Sequence, residues 1–431
     1  MHILMNTLRA LAYTLTEPYF LIVLVLLAII LYRKNKRTTI MQKIVIGEKV
    51  NTAFELTISQ VVLGIFAGVF ASIIMAYLGI FFSEDSSIEL IFLVSIFFML
   101  FNPRFICFSY SGSVLGILSI LLLWISKVTN NPSLNFINID ISALMAMVAV
   151  LHFVEAILVM IDGDKGYIPV FSNRNDRIIG GFALQRYWVI PIALFIMLNS
   201  NEAASFLSSG TPMPNWWPLV NTSVPKSILN AAVVSLIPFY GVIGYKSVTF
   251  TESKKDKAIR SGVFIMMYSI TLFILSQLAN FNIFFKLLVL VFAPLAHEFM
   301  LKFQKNIELN KEPKYISSKD GIMVLDVAEN SIAKKMGIKS GDLLIEINNE
   351  IINNEEDILK SIKQMYGHIS LKVKNQMGNL NTLSYDSVGS YERLGIVLVP
   401  KALPKTDSII KIDNTKFKDV LNNIKNKDKD E

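Results

Sequence analysis

Long apolar runs separated by short polar stretches fill the first 300 residues of the chain, and a more mixed sequence follows them. A helix needs about 20 mostly apolar residues to cross the hydrocarbon of a bilayer. The pattern therefore predicts an α-helical polytopic membrane bundle of eight or nine transmembrane helices, with nine preferred. The predicted spans are 10–32, 58–82, 88–103, 105–126, 141–161, 187–206, 227–245, 261–280 and 281–300.

Positive charges in the short loops predict the orientation, because Lys and Arg concentrate on the cytoplasmic side of a membrane. Nine spans place the N-terminus outside, and place the C-terminal residues and all the basic loops in the cytoplasm. Merging the spans around 102–104 would split the basic loops between the two sides, and merging those around 280–282 would move the C-terminal residues outside. The loops rich in Lys and Arg are 33–57, 162–186 and 246–260.

The composition agrees with a membrane protein. Charged residues make up 17% of the chain, against about 25% in soluble proteins. Its one cysteine, Cys107, stands in an apolar run and cannot form an internal disulfide. The sequence contains no phosphate-binding loop, dinucleotide fingerprint or nucleic-acid-binding module, and topology and anionic lipid account for the basic loops. We expect membrane lipids as partners, and neither nucleic acid nor a cofactor.

Residues 310–400 have the pattern of a small α+β domain. Residues 321–327 and 343–348 alternate as short strands. Between them, 331–337 predicts a one-turn helix that a Ser or Asn caps and a glycine ends. Residues 355–365 place their apolar side chains on one face and predict a second helix. The polar residues 401–431 that follow predict a disordered tail.

The string from Gly321 to Asn349 resembles a bacterial PDZ domain, whose usual pattern is S-P-A-x-x-A-G-L-x-x-G-D-x-I-x-x-I-N-G after the first strand. Ile332, Met336 and Asn349 stand where Pro, Ala and Gly are usual. Asn tolerates the left-handed backbone conformation better than most residues do, so we expect the turn at Asn349 to form. A PDZ domain binds a peptide as an added strand at an exposed sheet edge.

The resemblance also implies a Gly-containing loop that binds the peptide carboxylate. No such loop precedes Gly321, but one occurs late, at 393–399, which predicts a permuted domain with the binding strand last. The alternative, that 393–399 is only a closing core strand, stays open. The predicted groove is formed by Arg393, Leu394, Gly395, Ile396, Val397 and Leu398 on the strand, and by Ile358, Leu359 and Ile362 on the helix.

The whole chain resembles the MinJ family of Gram-positive cell-division proteins, which combine many spans with one PDZ domain. The resemblance includes Gly180–Pro191, His152–Glu155 and Ala293–Glu298. It implies a non-enzymatic scaffold that recruits cell-division proteins at the septum and poles of the cell membrane. The partners it implies are a DivIVA-like polar protein and the division inhibitor pair of MinC and a MinD-like ATPase.

Site-2 intramembrane metalloproteases also combine spans with PDZ domains, and they are the alternative, beside a regulator of signalling or proteolysis. Their His-Glu-x-x-His motif places two imidazoles on zinc. Here Leu301 stands where the second His is needed after His297-Glu298. Their Asp-Gly ligand motif comes later in the chain, whereas Asp162-Gly163 precedes His297. The sequence therefore favours a protein that is not an enzyme.

Four ionisable residues form a candidate intramembrane polar cluster: His152, Glu155, His297 and Glu298. Such residues are costly within a membrane and usually face a partner. A shared metal or proton site and a simple hydrogen-bonded His–Glu pair between helices are both compatible with the spacing. The pair is favoured, so the sequence assigns no metal ligand.

Overall fold

The structure is a computed structural model that describes residues 2–47, 50–101, 105, 107–198, 216–220, 233–352, 367–388 and 394–401. The chain divides into two compact units. The first comprises Met1–Val170 and Gly181–Pro313, and the second comprises Phe171–Gly180 and Lys314–Glu431.

Helices dominate the first unit. Those of the described residues are α1 (His2–Thr16), α2 (Pro18–Ile46), α3 (Ala53–Leu78), α4 (Leu90–Phe101), α5 (Phe108–Thr129), α6 (Ile141–Asp162), α7 (Lys254–Leu278) and α8 (Ile283–Asn310). Six of these, α2, α3, α5, α6, α7 and α8, are long and apolar enough to cross a membrane. The predicted helical membrane bundle is therefore confirmed at this level.

Two predicted helical spans, 187–206 and 227–245, are wrong, because the described residues in both form β-strands. Strand β3 (Arg177–Leu198) pairs antiparallel with β4 (Val233–Thr249), in register from Phe182 opposite Thr249 to Leu198 opposite Val233. An unbroken apolar run fits a strand buried on both faces as well as it fits a buried helix. Two shorter strands, β1 (Phe81–Ser83) and β2 (Ile168–Arg174), also pair with β3.

Helix α3 covers the edge of β3 with a stripe of small residues. Gly64 and Gly68 lie so close to β3 that a Cβ would meet the carbonyl oxygens of Val189 and Pro191 at 2.1 and 2.0 Å. One turn further on, Ser72 Oγ accepts a hydrogen bond of 2.9 Å from the N–H of Ala193. The helix thereby shields backbone groups of the strand that β4 does not pair.

Helices α4 and α5 form a hairpin that enters the bundle and returns to the same end. The hydroxyl of Ser87, just before α4, donates to the backbone just before α6 at 3.1 Å. At the tip of the hairpin, Cys107 contacts His152, which lies halfway along α6. Ser119 in α5 again donates to the segment before α6, at 3.0 Å. The described residues of the predicted spans 88–103 and 105–126 therefore form two helices with Ser87 and Ser119 near the segment before α6, and with Cys107 level with the middle of α6.

A buried ion pair holds α6, β3 and α3 together at the opposite end of the bundle. The Arg186 side chain, 1% exposed, donates to Asp162 Oδ2 from Nε at 2.8 Å and to Ser59 Oγ at 2.9 Å. The indole N–H of Trp188 donates to the same carboxylate oxygen at 2.9 Å. At the same end, Glu308 in α8 accepts from the N–H of Phe250 at 2.7 Å. Helix α2 extends here through the basic residues 33–43, which the sequence analysis placed in a loop.

The second unit is a small sheet domain with the predicted strands at 322–327 and 343–347. Its elements are β5 (Tyr315–Ile316), β6 (Ile322–Val327), α9 (Ile332–Lys335), β7 (Leu343–Ile347), β8 (Glu350–Ile351), β9 (Gly367–Lys374), β10 (Leu380–Val388) and β11 (Ile396–Leu398). The sheet order is β10-β9-β7-β6-β11, with β8 beside β7. Asn348 and Asn349 take the left-handed conformation in the turn between β7 and β8, as expected for Asn349.

Residues 171–180 belong to this second unit, although the sequence analysis placed them in a basic loop of the membrane part. Ile179 and Gly180, at the start of β3, pair with Ile316 and Tyr315 of β5. The predicted helix over 355–365 and the predicted tail lie outside the described residues, so both stay predictions, as do the domain limits of 310 and 400.

Replacing Arg186 by Met should destabilise the first unit by about 3–5 kcal/mol, because Asp162 would keep a buried charge without its partner. Thermal unfolding of the full chain in detergent measures the effect. Arg177→Met is the matched control, since Arg177 is an exposed arginine at the start of the same strand. Equal unfolding temperatures for the two variants would contradict the assignment.

Candidate functional site

Among the described strands of the second unit, β11 forms one edge of the sheet, which is the position that strand addition requires. It runs antiparallel to β6, with Ile396 opposite Val327. Ile396 and Leu398 are half-buried and pack against the domain core, whereas Val397 between them is buried on the opposite side of the strand. The strand half of the predicted groove therefore combines an edge position with apolar side chains.

The turn that leads into β11 forms backbone hydrogen bonds with the segment that runs from the end of β6 into α9. Gly395 has a φ of +72°, and its carbonyl accepts from the N–H of Ala328 at 2.8 Å. The carbonyl of Leu394 accepts from the N–H of Ala333 at 3.1 Å, and the Leu394 side chain is part of the core. A Cβ on Gly395 would lie 2.2 Å from the Cβ of Ser331. Glycine is thus required here both by the backbone conformation and by the close approach.

The other half of the predicted groove is outside the described part of the chain. Arg393 on the strand and Ile358, Leu359 and Ile362 on the helix lie among the residues that the structure does not describe. Their role in the groove stays a prediction, and so does the groove as a whole.

A second candidate site lies in the middle of the bundle, where the tip of the α4–α5 hairpin meets α6 and α8. The Sγ atom of Cys107 lies 2.9 Å from Nε2 of His152 and 3.6 Å from Nε2 of His297. The centroids of the two imidazole rings are 5.7 Å apart, and His152 and His297 are 2% and 7% exposed. Three side chains from three separate elements therefore converge on one buried point.

Two carboxylates extend this cluster. The hydroxyl of Tyr110 donates to Glu298 and lies 3.2 Å from Nδ1 of His297. The carboxylate of Glu155 lies 3.8 Å from Nε2 of His152, one turn along the same helix. The structure thus brings all four residues of the predicted polar cluster to one level of the bundle, connected through Cys107 and Tyr110.

Sequence reasoning missed Cys107 as a member of this cluster. It is the one cysteine of the chain, and it stands beside the break between two apolar runs. That position allowed it to lie at a hairpin tip, but nothing in the sequence places the tip level with His152 and His297. Within the described residues, Cys107, His152 and His297 are the group that could hold a metal ion.

Comparison with known proteins supports the sequence-based resemblance. The model of the PDZ domain family matches residues 301–374, which ends at the end of β9 and leaves β11 outside. The chain is 23% identical over 228 residues to the cell division topological determinant MinJ of Bacillus subtilis (strain 168). The match covers 51% of this chain and 52% of the relative, so the chain spans about half the length of the curated relative it matches. The chain is a MinJ-like protein with a PDZ domain.

Replacing Gly395 by Ala should destabilise the second unit more than replacing Gly378 by Ala. Both glycines have a positive φ, of +72° and +87°, which costs an Ala about 1–2 kcal/mol. Only Gly395 adds a clash with Ser331, because a Cβ on Gly378 has nothing within 4 Å. Urea-dependent proteolysis of the full chain in membranes compares the two variants. Equal protection of the second unit in both would rule out the tight contact at Gly395.

Proposed function

We propose that this protein is a multi-pass adaptor of the cell membrane that recruits cell-division proteins and helps to place the septum. The edge position of β11 is the observation that carries the proposal, because it offers a partner segment a row of backbone groups for pairing. The similarity to a topological determinant of cell division supports the cellular process. In this reading the protein is a scaffold and not an enzyme, and it acts at the septum and the poles.

The partners follow from the resemblance. We propose a DivIVA-like polar protein and a MinD-like ATPase, the second acting with MinC. A short extended segment of one such partner would pair with β11 and lie beside Ile396 and Leu398. The main-chain hydrogen bonds of strand addition supply affinity, and the side-chain pockets supply specificity. Attachment to a membrane also raises the effective concentration of the recruited partners near one another.

The PDZ domain lies in the cytoplasm in this proposal, and the N-terminus lies outside. Support comes from the end of the bundle that contains Arg186, because it also contains the basic end of α2, the start of α7 and the end of α8. Lys34 lies over the ring of Tyr187 at 3.3 Å, and Lys257 lies 3.3 Å from Glu308. Lys and Arg concentrate on the cytoplasmic side, so the end of α8, which leads into the second unit, is cytoplasmic.

This orientation needs fewer complete crossings than the nine that the sequence predicts. We propose that α2, α3, α6, α7 and α8 cross the bilayer. The α4–α5 hairpin enters from the outer end. Strands β3 and β4 enter from the inner end, and β3 reaches the outer end, where Phe195 pairs with Phe81 of β1 just after α3. Each hairpin returns to the side it came from, so the predicted orientation survives although the span count falls.

Cysteine labelling in intact cells tests the orientation. A membrane-impermeant maleimide should label Ser133→Cys, because Ser133 is exposed just before α6 at the outer end. It should label Glu312→Cys, exposed after α8, only once the cells are permeabilised. The wild-type chain, whose one cysteine is Cys107, supplies the background. The reverse pattern would refute a cytoplasmic PDZ domain.

Replacing Ile396 by Asp should abolish recruitment, because a charge would then face the apolar side of the edge strand. We expect a fluorescent fusion that still inserts and still reaches the division site, in cells that form misplaced septa or filaments. Ile351→Asp is the matched control, since Ile351 is 67% exposed on β8 of the same domain. Time-lapse imaging beside the deletion strain measures septum position and cell length.

Two outcomes oppose the proposal in different ways. A deletion strain with normal septa, together with a fusion spread evenly around the membrane, would refute the scaffold. Normal septa with Ile396→Asp in a strain whose deletion does misplace septa would refute β11 as the recruiting edge and leave the scaffold standing.

A further inference from the structure

The cluster around Cys107 has the composition of a transition-metal site. One thiol and two imidazoles place their ligand atoms within 4.8 Å of one another, and both histidines are buried. Each ligand comes from a different element: Cys107 from the hairpin tip, His152 from α6 and His297 from α8. Cysteine and histidine are the side chains that structural zinc sites use.

Hydrogen bonds on the far side of each imidazole set its tautomer. Nδ1 of His152 lies 2.7 Å from the carbonyl oxygen of Val148, which can only accept, so Nδ1 bears the hydrogen. Tyr110 gives its hydroxyl hydrogen to Glu298, so its oxygen accepts from Nδ1 of His297 at 3.2 Å. Both Nε2 atoms therefore present a lone pair to Cys107. Histidines that bind metals commonly donate their other ring N–H to a carbonyl or a similar acceptor in this way.

The hydrogens available around the thiol are too few for the acceptors among the described residues. Tyr268 donates its hydroxyl hydrogen to the carbonyl of Ala293 at 2.9 Å, so its oxygen accepts from Ser109 at 2.7 Å. The hydroxyl hydrogen of Ser109 is therefore already used in this bond, although Oγ of Ser109 also lies 3.2 Å from Nε2 of His152. The single thiol hydrogen of Cys107 is left for two imidazole lone pairs. A cation at their centre removes this shortage.

We propose that Cys107, His152 and His297 bind one zinc ion. Zinc ligands at about 2.3 Å for sulfur and about 2.0–2.1 Å for nitrogen lie about 3.5 Å apart in a tetrahedron. The separation between Cys107 and His297, 3.6 Å, already has this value. The separation between Cys107 and His152, 2.9 Å, opens by about 0.6 Å when the thiol loses its hydrogen and the metal enters.

The fourth position faces a small cavity beside the thiol. Cys107, His152 and Glu155 line this cavity of about 20 Å³, together with residues 242–244 of β4. That volume holds one water molecule. The fourth ligand is that water or the carboxylate of Glu155, which is already 3.8 Å from Nε2 of His152.

The site's role is structural, because its three ligands come from three separate elements, which one metal ion would join. Cys107 lies in the middle of the bundle, beside His152 of α6. A zinc ion bound to Cys107 attaches the start of α5 to α6 and α8. Zinc sites of this kind contribute directly to folding free energy.

Metal analysis of the full chain, purified in detergent without a polyhistidine tag, tests the proposal. We expect about one zinc per chain after equilibration with zinc and dialysis. Cys107→Ser and His297→Gln should each lower the zinc content at least tenfold. His368→Gln is the matched control, because His368 is 58% exposed in the second unit and should leave the content unchanged.

A second measurement uses the wild-type chain, so the test does not depend on whether the variants fold. Cys107 is the one cysteine, so N-ethylmaleimide adds a single mass increment at this thiol. Zinc should slow the addition at least tenfold, and a chelator should restore it and lower the unfolding temperature. Cobalt in place of zinc should give a thiolate charge-transfer band. Equal alkylation rates with and without zinc, or full zinc content in Cys107→Ser, would overturn the proposal.

Discussion

Backbone N–H and C=O groups inside hydrocarbon must find partners within the protein, because no water is there to receive them. Helices meet this constraint internally, but the strands β3 and β4 do not. The arrangement of the first unit follows from how it satisfies these groups. Helix α3 approaches β3 through Gly64 and Gly68, and Ser72 accepts the N–H of Ala193. Pro191, which has no N–H, stands in this covered edge.

The ion pair between Arg186 and Asp162 fixes where this strand meets the helices. A buried pair of this kind contributes little net stability, since desolvation opposes the attraction, but losing one partner is expensive. The contribution of this ion pair is to fix the register of β3 against α6. Arg186 and Trp188 both contact Asp162 at the end of α6, so a shift of β3 by one residue would break both of these contacts.

The sequence predicted the elements that have a distinctive periodicity of apolar residues or a distinctive turn residue. The turn at Asn349, the strand at 343–347 and the long apolar helices were all predictable, because each has a local cause. The strands β3 and β4 were not, since Tyr187–Leu198 is a continuous apolar run that fits either a helix or a doubly buried strand. Within the candidate sites, Gly395 and the polar cluster were found from sequence. Cys107 was missed, because its partners depend on how deeply a hairpin inserts.

The position of β11 in the chain has a consequence for the order of synthesis. β11 follows every described membrane helix and every other strand of its sheet. Domains fold as units while the chain emerges from the ribosome. The sheet therefore lacks this edge strand, and Leu394 is missing from the core, while translation is still in progress. A surface that depends on β11 forms only after the membrane helices have been made, so the newly synthesised bundle meets the bilayer before it can bind anything along that edge.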